Sequence, residues 1–137
     1  MAAQTTPYGL SVTVSLPYDA AVERVRGELQ KEGFGVLTEI DVRKTMKQKL
    51  DVEFRPYVIL GACNPPLAHR ALSAERDIGL LLPCNVVVYA ADEPGQTVVA
   101  AMDPVAALAL AGRADIEPIA RDVRARMERV LDATAKG

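Results

Sequence analysis

Apolar side chains in the first part of the chain change from a strand period to a helix period. Residues 8–16 alternate between apolar and polar side chains, which predicts a strand that is buried on one face. Beyond Pro17 the apolar positions recur every three or four residues, as they do along an amphipathic helix, and Gly33 is a typical residue for the end of that helix. The positions of this helical stripe are Tyr18, Val22, Val25 and Leu29.

A second strand and a second helix follow, and then a longer apolar run. Residues 34–40 form a short apolar-rich segment that predicts a strand, and Asp41 has the side chain of a helix N-cap. Residues 57–62 are continuously apolar, so we expect a central strand that is covered on both faces. The helix between these strands has a narrow stripe of Val42, Met46 and Leu50.

The second half of the chain continues with helices around a hairpin. A Pro-Gly pair at residues 94–95 separates two apolar runs, which predicts an antiparallel hairpin. Helical spacing before and after the hairpin predicts three helices. These elements are a helix that begins after Asn64, strands over 83–91 and 97–102, and helices over 105–111 and 116–131.

The predicted order of elements is β-α-β-α-β-α-β-β-α-α. This order favours an α+β fold with a single five-stranded mixed sheet and helices packed on it. Half of the 137 residues are apolar, so we expect one domain over residues 1–137 with its core between about residues 8 and 131. Since only 4% of the residues are aromatic and tryptophan is absent, the core must be mainly aliphatic.

Charge and the N-terminal sequence exclude several classes of partner. The formal net charge is -2, from 16 basic and 18 acidic side chains without a long run of one sign, so we expect no nucleic-acid partner. No apolar run approaches the length of a membrane span, and the first residues lack the basic and apolar blocks of an export signal. We therefore expect a soluble, cytoplasmic protein without membrane association, and no pattern calls for a cofactor.

One group of residues carries most of the candidate chemistry. Cys63 lies where a strand passes into a helix, and the helix dipole at such a place favours a thiolate or another anion. His69, the single histidine, follows on the same helix. A second Cys-Asn pair stands at the start of the next strand. The candidate ligand-binding residues are Cys63, Asn64, His69, Cys84 and Asn85.

Strand direction decides whether the two cysteines meet. Parallel strands joined by a crossover helix would place the thiols at opposite ends of the sheet, roughly 15 Å or more apart. Antiparallel strands would bring both thiols to one end. The preference for crossover connections favours the parallel arrangement.

Three interpretations of these residues remain open. Each cysteine has a simple explanation as a small core residue, and Asn64 as a helix cap. Cys63, His69 and Cys84 would make a three-ligand metal site, although CxxC and HxxxH spacings are missing. Cys63 with His69 as base would make a nucleophile, for which Glu75 or Asp77 would have to orient the histidine.

Three separated segments resemble a known protein family. They are Gly33 to Asp41, Tyr57 to Pro65, and Leu82 to Val86, and together they look like the bacterial and archaeal domain-of-unknown-function family DUF302. The resemblance covers about residues 8–131 and implies a compact α+β domain that commonly forms homodimers. It implies no activity, substrate or cofactor. The residues at the family's signature positions are Phe34-Gly35, Cys63-Asn64-Pro65 and Pro83-Cys84.

Three functions are compatible with the sequence. The first is a non-catalytic ligand-binding or interaction domain that forms a homodimer, since no complete catalytic constellation is present. The second is a thiol-redox or metal-binding module that uses Cys63 and Cys84 with His69. The third is an enzyme for a small anionic metabolite bound at the helix start near Asn64.

Overall fold

The computed structural model describes residues 4–136 and contains one sheet with helices. The predicted α+β class is confirmed, and the predicted order of elements is present in full with a two-residue strand added before it. The strands are β1 Gln4–Thr5, β2 Gly9–Val14, β3 Gly35–Asp41, β4 Tyr57–Cys63, β5 Cys84–Ala90 and β6 Thr97–Met102. The α-helices are α1 Tyr18–Lys31, α2 Val42–Leu50, α3 Pro65–Ala74, α4 Pro104–Leu108 and α5 Glu117–Lys136. Two 3₁₀ helices span Arg76–Leu81 and Ala109–Ala111.

Every strand pair in the sheet is antiparallel. The strand order is β1-β2-β6-β5-β4-β3, so five longer strands form the sheet and β1 extends its edge. The predicted mixed sheet is therefore wrong. Beyond the end of β4, helix α3 extends over about 15 Å and the following 3₁₀ helix over about 12 Å more. This length allows the chain to return to the end of the sheet at which β4 finishes, where β5 begins.

The hydrophobic core lies between one face of the sheet and helices α1 and α5. Alternate residues of each longer strand except β3 point into it, which is why the two-residue period appears in the sequence. The long stripe of α5 packs against this face, and Met127 and Leu131 at its centre are fully buried. As the composition requires, the core is mainly aliphatic.

The other face of the sheet is only partly covered. Strand β4 illustrates this, because Val58, Leu60 and Ala62 are buried while Tyr57 and Ile59 are half-buried. The prediction that this strand is central and covered on both faces is wrong, since β4 lies next to the edge strand β3. An unbroken apolar run does not reveal what covers each face.

We call this partly covered surface the open face and define it by three rows of cross-strand neighbours. No lysine, arginine, aspartate or glutamate occurs in the rows. The first row is Ser11, Ala100, Val87, Ile59 and Ile40; the second is Thr13, Val98, Tyr89 and Tyr57; the third combines Gly9 and Met102 with Asn85, Gly61 and Thr38.

Several predicted helix ends are confirmed. The Asp41 side chain accepts a hydrogen bond from the Lys44 N–H, and α1 ends before Gly33, whose φ of +85° favours glycine. Among residues 4–136 no helix is long and apolar enough to cross a membrane.

Candidate functional site

The two cysteines lie on neighbouring strands at one end of the sheet. Cys84 is the cross-strand partner of Ala62, the residue directly before Cys63. The favoured parallel arrangement is therefore wrong, and the antiparallel alternative is present. Both thiols are free. Because successive side chains in a strand alternate between faces, Cys84 lies on the core side with Ala62 and Cys63 on the other side.

Burial raises the pKa of both thiols. The pKa of Cys84 rises to about 11, chiefly because the side chain is buried and to a smaller extent because Cys63 is close. Burial also raises the pKa of Cys63. A reactive cysteine requires the opposite shift, so neither environment supports the thiolate that a redox module uses.

The start of helix α3 explains why the expected stabilisation of a thiolate is missing. Pro65 and Pro66 have no N–H to offer an anion. The Leu67 N–H donates to Asn64 Oδ1, and the Ala68 N–H donates to the carbonyl oxygen of Asn64. Each of the first four helical positions is thus without a free donor. The expectation of free N–H groups at this helix start is therefore wrong, and no backbone donor there supports an anion at Cys63.

Asn64 joins three helices through its side-chain amide. Its Oδ1 caps α3, and its Nδ2 donates to the carbonyl oxygen of Glu32 at 3.3 Å. Arg126 on α5 donates to the same carbonyl at 3.1 Å. Asn64 is buried, so the amide connects the ends of α1 and α3 with α5. The predicted capping role is confirmed.

The remaining candidate residues lie elsewhere. His69 is exposed, and Asn85 is exposed on the open face. Glu75, a candidate partner of the histidine, instead accepts from the Asp77 N–H and pairs with Arg113. Within residues 4–136 no group of three histidine, cysteine, aspartate or glutamate side chains is placed to hold a metal ion. The structure therefore brings Cys63, Asn64 and Cys84 to one end of the sheet, with Asn85 beside Cys84 on the open face and His69 on the exposed surface of α3.

A cavity of about 310 Å³ lies beside the cysteines. We call it the apolar cavity, since none of its lining side chains carries a charge. Helix α3 forms one wall with Leu67 and Ala71, and α5 contributes Ile119 and Val123. Cys63, Asn64 and Cys84 also line it. Sequence reasoning missed the cavity; the small side chains at Ala68 and Ala71 are the only signal of reduced packing there.

A second concavity, of about 680 Å³, follows the open face. Tyr57 and Tyr89 are stacked there, with ring centres 5.1 Å apart and planes 7° from parallel. Burial, together with the proximity of Tyr89 and then Tyr8, raises the pKa of Tyr57. Phe54 packs beside Tyr57 with ring centres 6.1 Å apart. Four of the six aromatic residues thus lie on or beside this face.

The fold and the cavity define a small α+β protein with an antiparallel sheet, one helix-covered face and an apolar pocket at one end. The model of the family "Domain of unknown function DUF302" matches residues 10–134. The chain belongs to this family, which confirms the resemblance seen in the sequence.

A solved structure agrees with this assignment. The crystal structure of an uncharacterized conserved DUF302 protein from Bacillus stearothermophilus is 33% identical in sequence and superposes with a TM-score of 0.83. The match covers 91% of this chain and 96% of that chain. No match is found among curated proteins.

Proposed function

We propose that this protein is a non-catalytic interaction domain that forms a homodimer through the open face. The observation that carries the proposal is the absence of charge from all three rows of that face. A water-facing antiparallel sheet normally alternates apolar core residues with polar surface residues. Here the surface positions of β5 and β6 are Asn85 and the apolar or aromatic residues Val87, Tyr89, Val98, Ala100 and Met102.

Symmetry supports a second copy of the chain as the partner. In a two-fold dimer the same patch occurs on both sides, so residues near the axis meet their own copies. A charged residue there would meet a like charge. The open face lacks such residues at its centre, where Val87 of β5 is the neighbour of Ala100 of β6. Two such sheets can pack face to face at about 10 Å with their side chains interdigitated.

The size of the face also suits a dimer. Four strands of six residues cover a plane of roughly 20 by 20 Å, and side chains add to this area. A standard interface uses about 800 Å² of each partner, so the plane supplies about half of it. Exposed apolar side chains around the rows supply more; they include Tyr8, Phe54 and Leu110, which are 41–79% exposed.

Analytical ultracentrifugation tests the proposal directly. We expect wild-type protein at micromolar concentration to sediment with twice the chain mass of 14.7 kDa. Ala100→Lys places a charge at the centre of the open face and should yield a folded monomer. The matched control is Ala20→Lys, on the exposed surface of α1, which should remain dimeric. A monomeric wild type, or an Ala100→Lys variant that dimerises as tightly, would overturn the proposal.

A further inference from the structure

We propose that the apolar cavity binds a small, uncharged, apolar molecule of roughly twelve carbon atoms. This inference uses a different part of the molecule from the dimer, because Thr38 is the one residue of the three open-face rows that also lines the cavity. The carbon count follows from the volume. An apolar cavity of about 150 Å³ stays dry and accepts benzene, and the volume here is about twice as large.

The polar groups in the wall exclude a charged ligand. No cationic or anionic side chain lines the cavity. Both atoms of the Asn64 amide have partners within the protein, and the raised pKa values keep the two thiols neutral at physiological pH. A buried charge without a partner is strongly disfavoured, so a carboxylate or phosphate would lose its hydration without compensation.

The chain also forms an entrance to the cavity. The register between β3 and β4 shifts between Val36 and Thr38, so Leu37 is the extra residue of a β-bulge. Bulges redirect side chains and recur beside functional sites. Leu37 and Leu72 both line the cavity, yet they are 67% and 39% exposed. Two exposed leucines at the edge of an apolar cavity mark the opening between β3 and α3.

Two matched probes test the class of ligand. Naphthalene has ten carbon atoms and no charge, and 2-naphthoate adds a carboxylate to the same rings. We expect saturating naphthalene to raise the melting temperature, since a ligand that binds only the folded state stabilises it. Naphthalene should also slow alkylation of Cys84, whose side chain lies on the core side and lines the cavity, by N-ethylmaleimide at least tenfold. 2-Naphthoate should bind at least tenfold more weakly.

Two variants assign the binding to the cavity. Ala68→Phe fills space beside α3 and should weaken naphthalene binding at least tenfold, whereas Ala100→Lys on the open face should leave it unchanged. Should Ala68→Phe fail to fold, the protection of Cys84 in the wild-type protein decides the question. Three results would overturn the proposal: naphthalene does not protect the cysteine, 2-naphthoate binds as tightly as naphthalene, or Ala100→Lys loses naphthalene binding. Sedimentation of the same samples gives the oligomeric mass and so tests the dimer separately from ligand binding.

Discussion

Asn64 combines a local role with a long-range one. The cap on α3 joins Asn64 to Leu67, three residues further along the chain. The hydrogen bond from the Asn64 amide to the Glu32 carbonyl depends on a contact across the fold. We expect Asn64→Ala to lower the free energy of unfolding by about 1–3 kcal/mol, since it removes a cap and a buried hydrogen bond. Asn64→Ser keeps a capping oxygen and should recover part of this loss. Urea denaturation measures both, and equal losses in the two variants would contradict the role of the cap.

Cys84 makes stability depend on pH in the alkaline range. Its folded-state pKa of about 11 exceeds the ordinary value of 9.0, so above pH 9 the unfolded chain loses its proton first. The wild-type free energy of unfolding should fall by about 2 kcal/mol relative to Cys84→Ala between pH 9 and pH 11. Urea denaturation along this pH series measures the difference. If the difference in the free energy of unfolding between the two proteins stayed constant over this pH range, the pKa of Cys84 would not be raised by burial.

The chemical interpretation of single residues depended on neighbours that the sequence does not identify. The capping oxygens of Asp41 and Asn64 were predictable, because a helix start requires an acceptor within a few residues. The protonation state of the Cys63 thiol was not predicted, although the sequence contains Pro65 and Pro66. Their missing N–H groups cancel the general attraction of a helix start for anions. The exposure of His69 agrees with helical spacing, which places it off the face of α3 that carries Leu67 and Ala71.

At the scale of elements, the pairing of β3 with β4 depends on Gly61. A Cβ atom at this position would collide with Thr38 Oγ1 and lie 3.0 Å from Pro83 Cγ. We expect Gly61→Ala to lower the free energy of unfolding by about 1–3 kcal/mol, as overpacking does elsewhere. Thr38→Ala in the same chain removes the colliding oxygen and should restore part of the stability. A double-mutant cycle in urea measures this coupling, and strictly additive effects would contradict the contact.

The elements themselves were largely predictable, whereas their arrangement was not. Strands and helices follow from the spacing of apolar residues, and this spacing placed β2, α1 and α5 within a few residues of their observed ends. Strand direction between β4 and β5 depends on the return path through the 3₁₀ helix Arg76–Leu81, which has no periodic pattern. The apolar cavity depends in turn on that path, so both were missed together.

For the whole molecule, the proposed dimer should be nearly insensitive to salt. Its interface contains no charged residue in the three rows, so screening has no ion pair to weaken there. We expect the dimer dissociation constant to change by less than about threefold between low and high sodium chloride, as measured by sedimentation equilibrium. A tenfold weakening at high salt would indicate ion pairs in the interface and a different contact surface.

The segregation of aromatic residues makes the protein its own spectroscopic reporter. With no tryptophan, its near-ultraviolet signal arises mainly from four tyrosines, three of which lie on the open face. The fourth, Tyr18, is distinguishable because burial, followed by the charges of Asp41, Asp19 and Glu39, raises its pKa to about 12. Absorbance and circular dichroism of unlabelled protein therefore follow events at the open face.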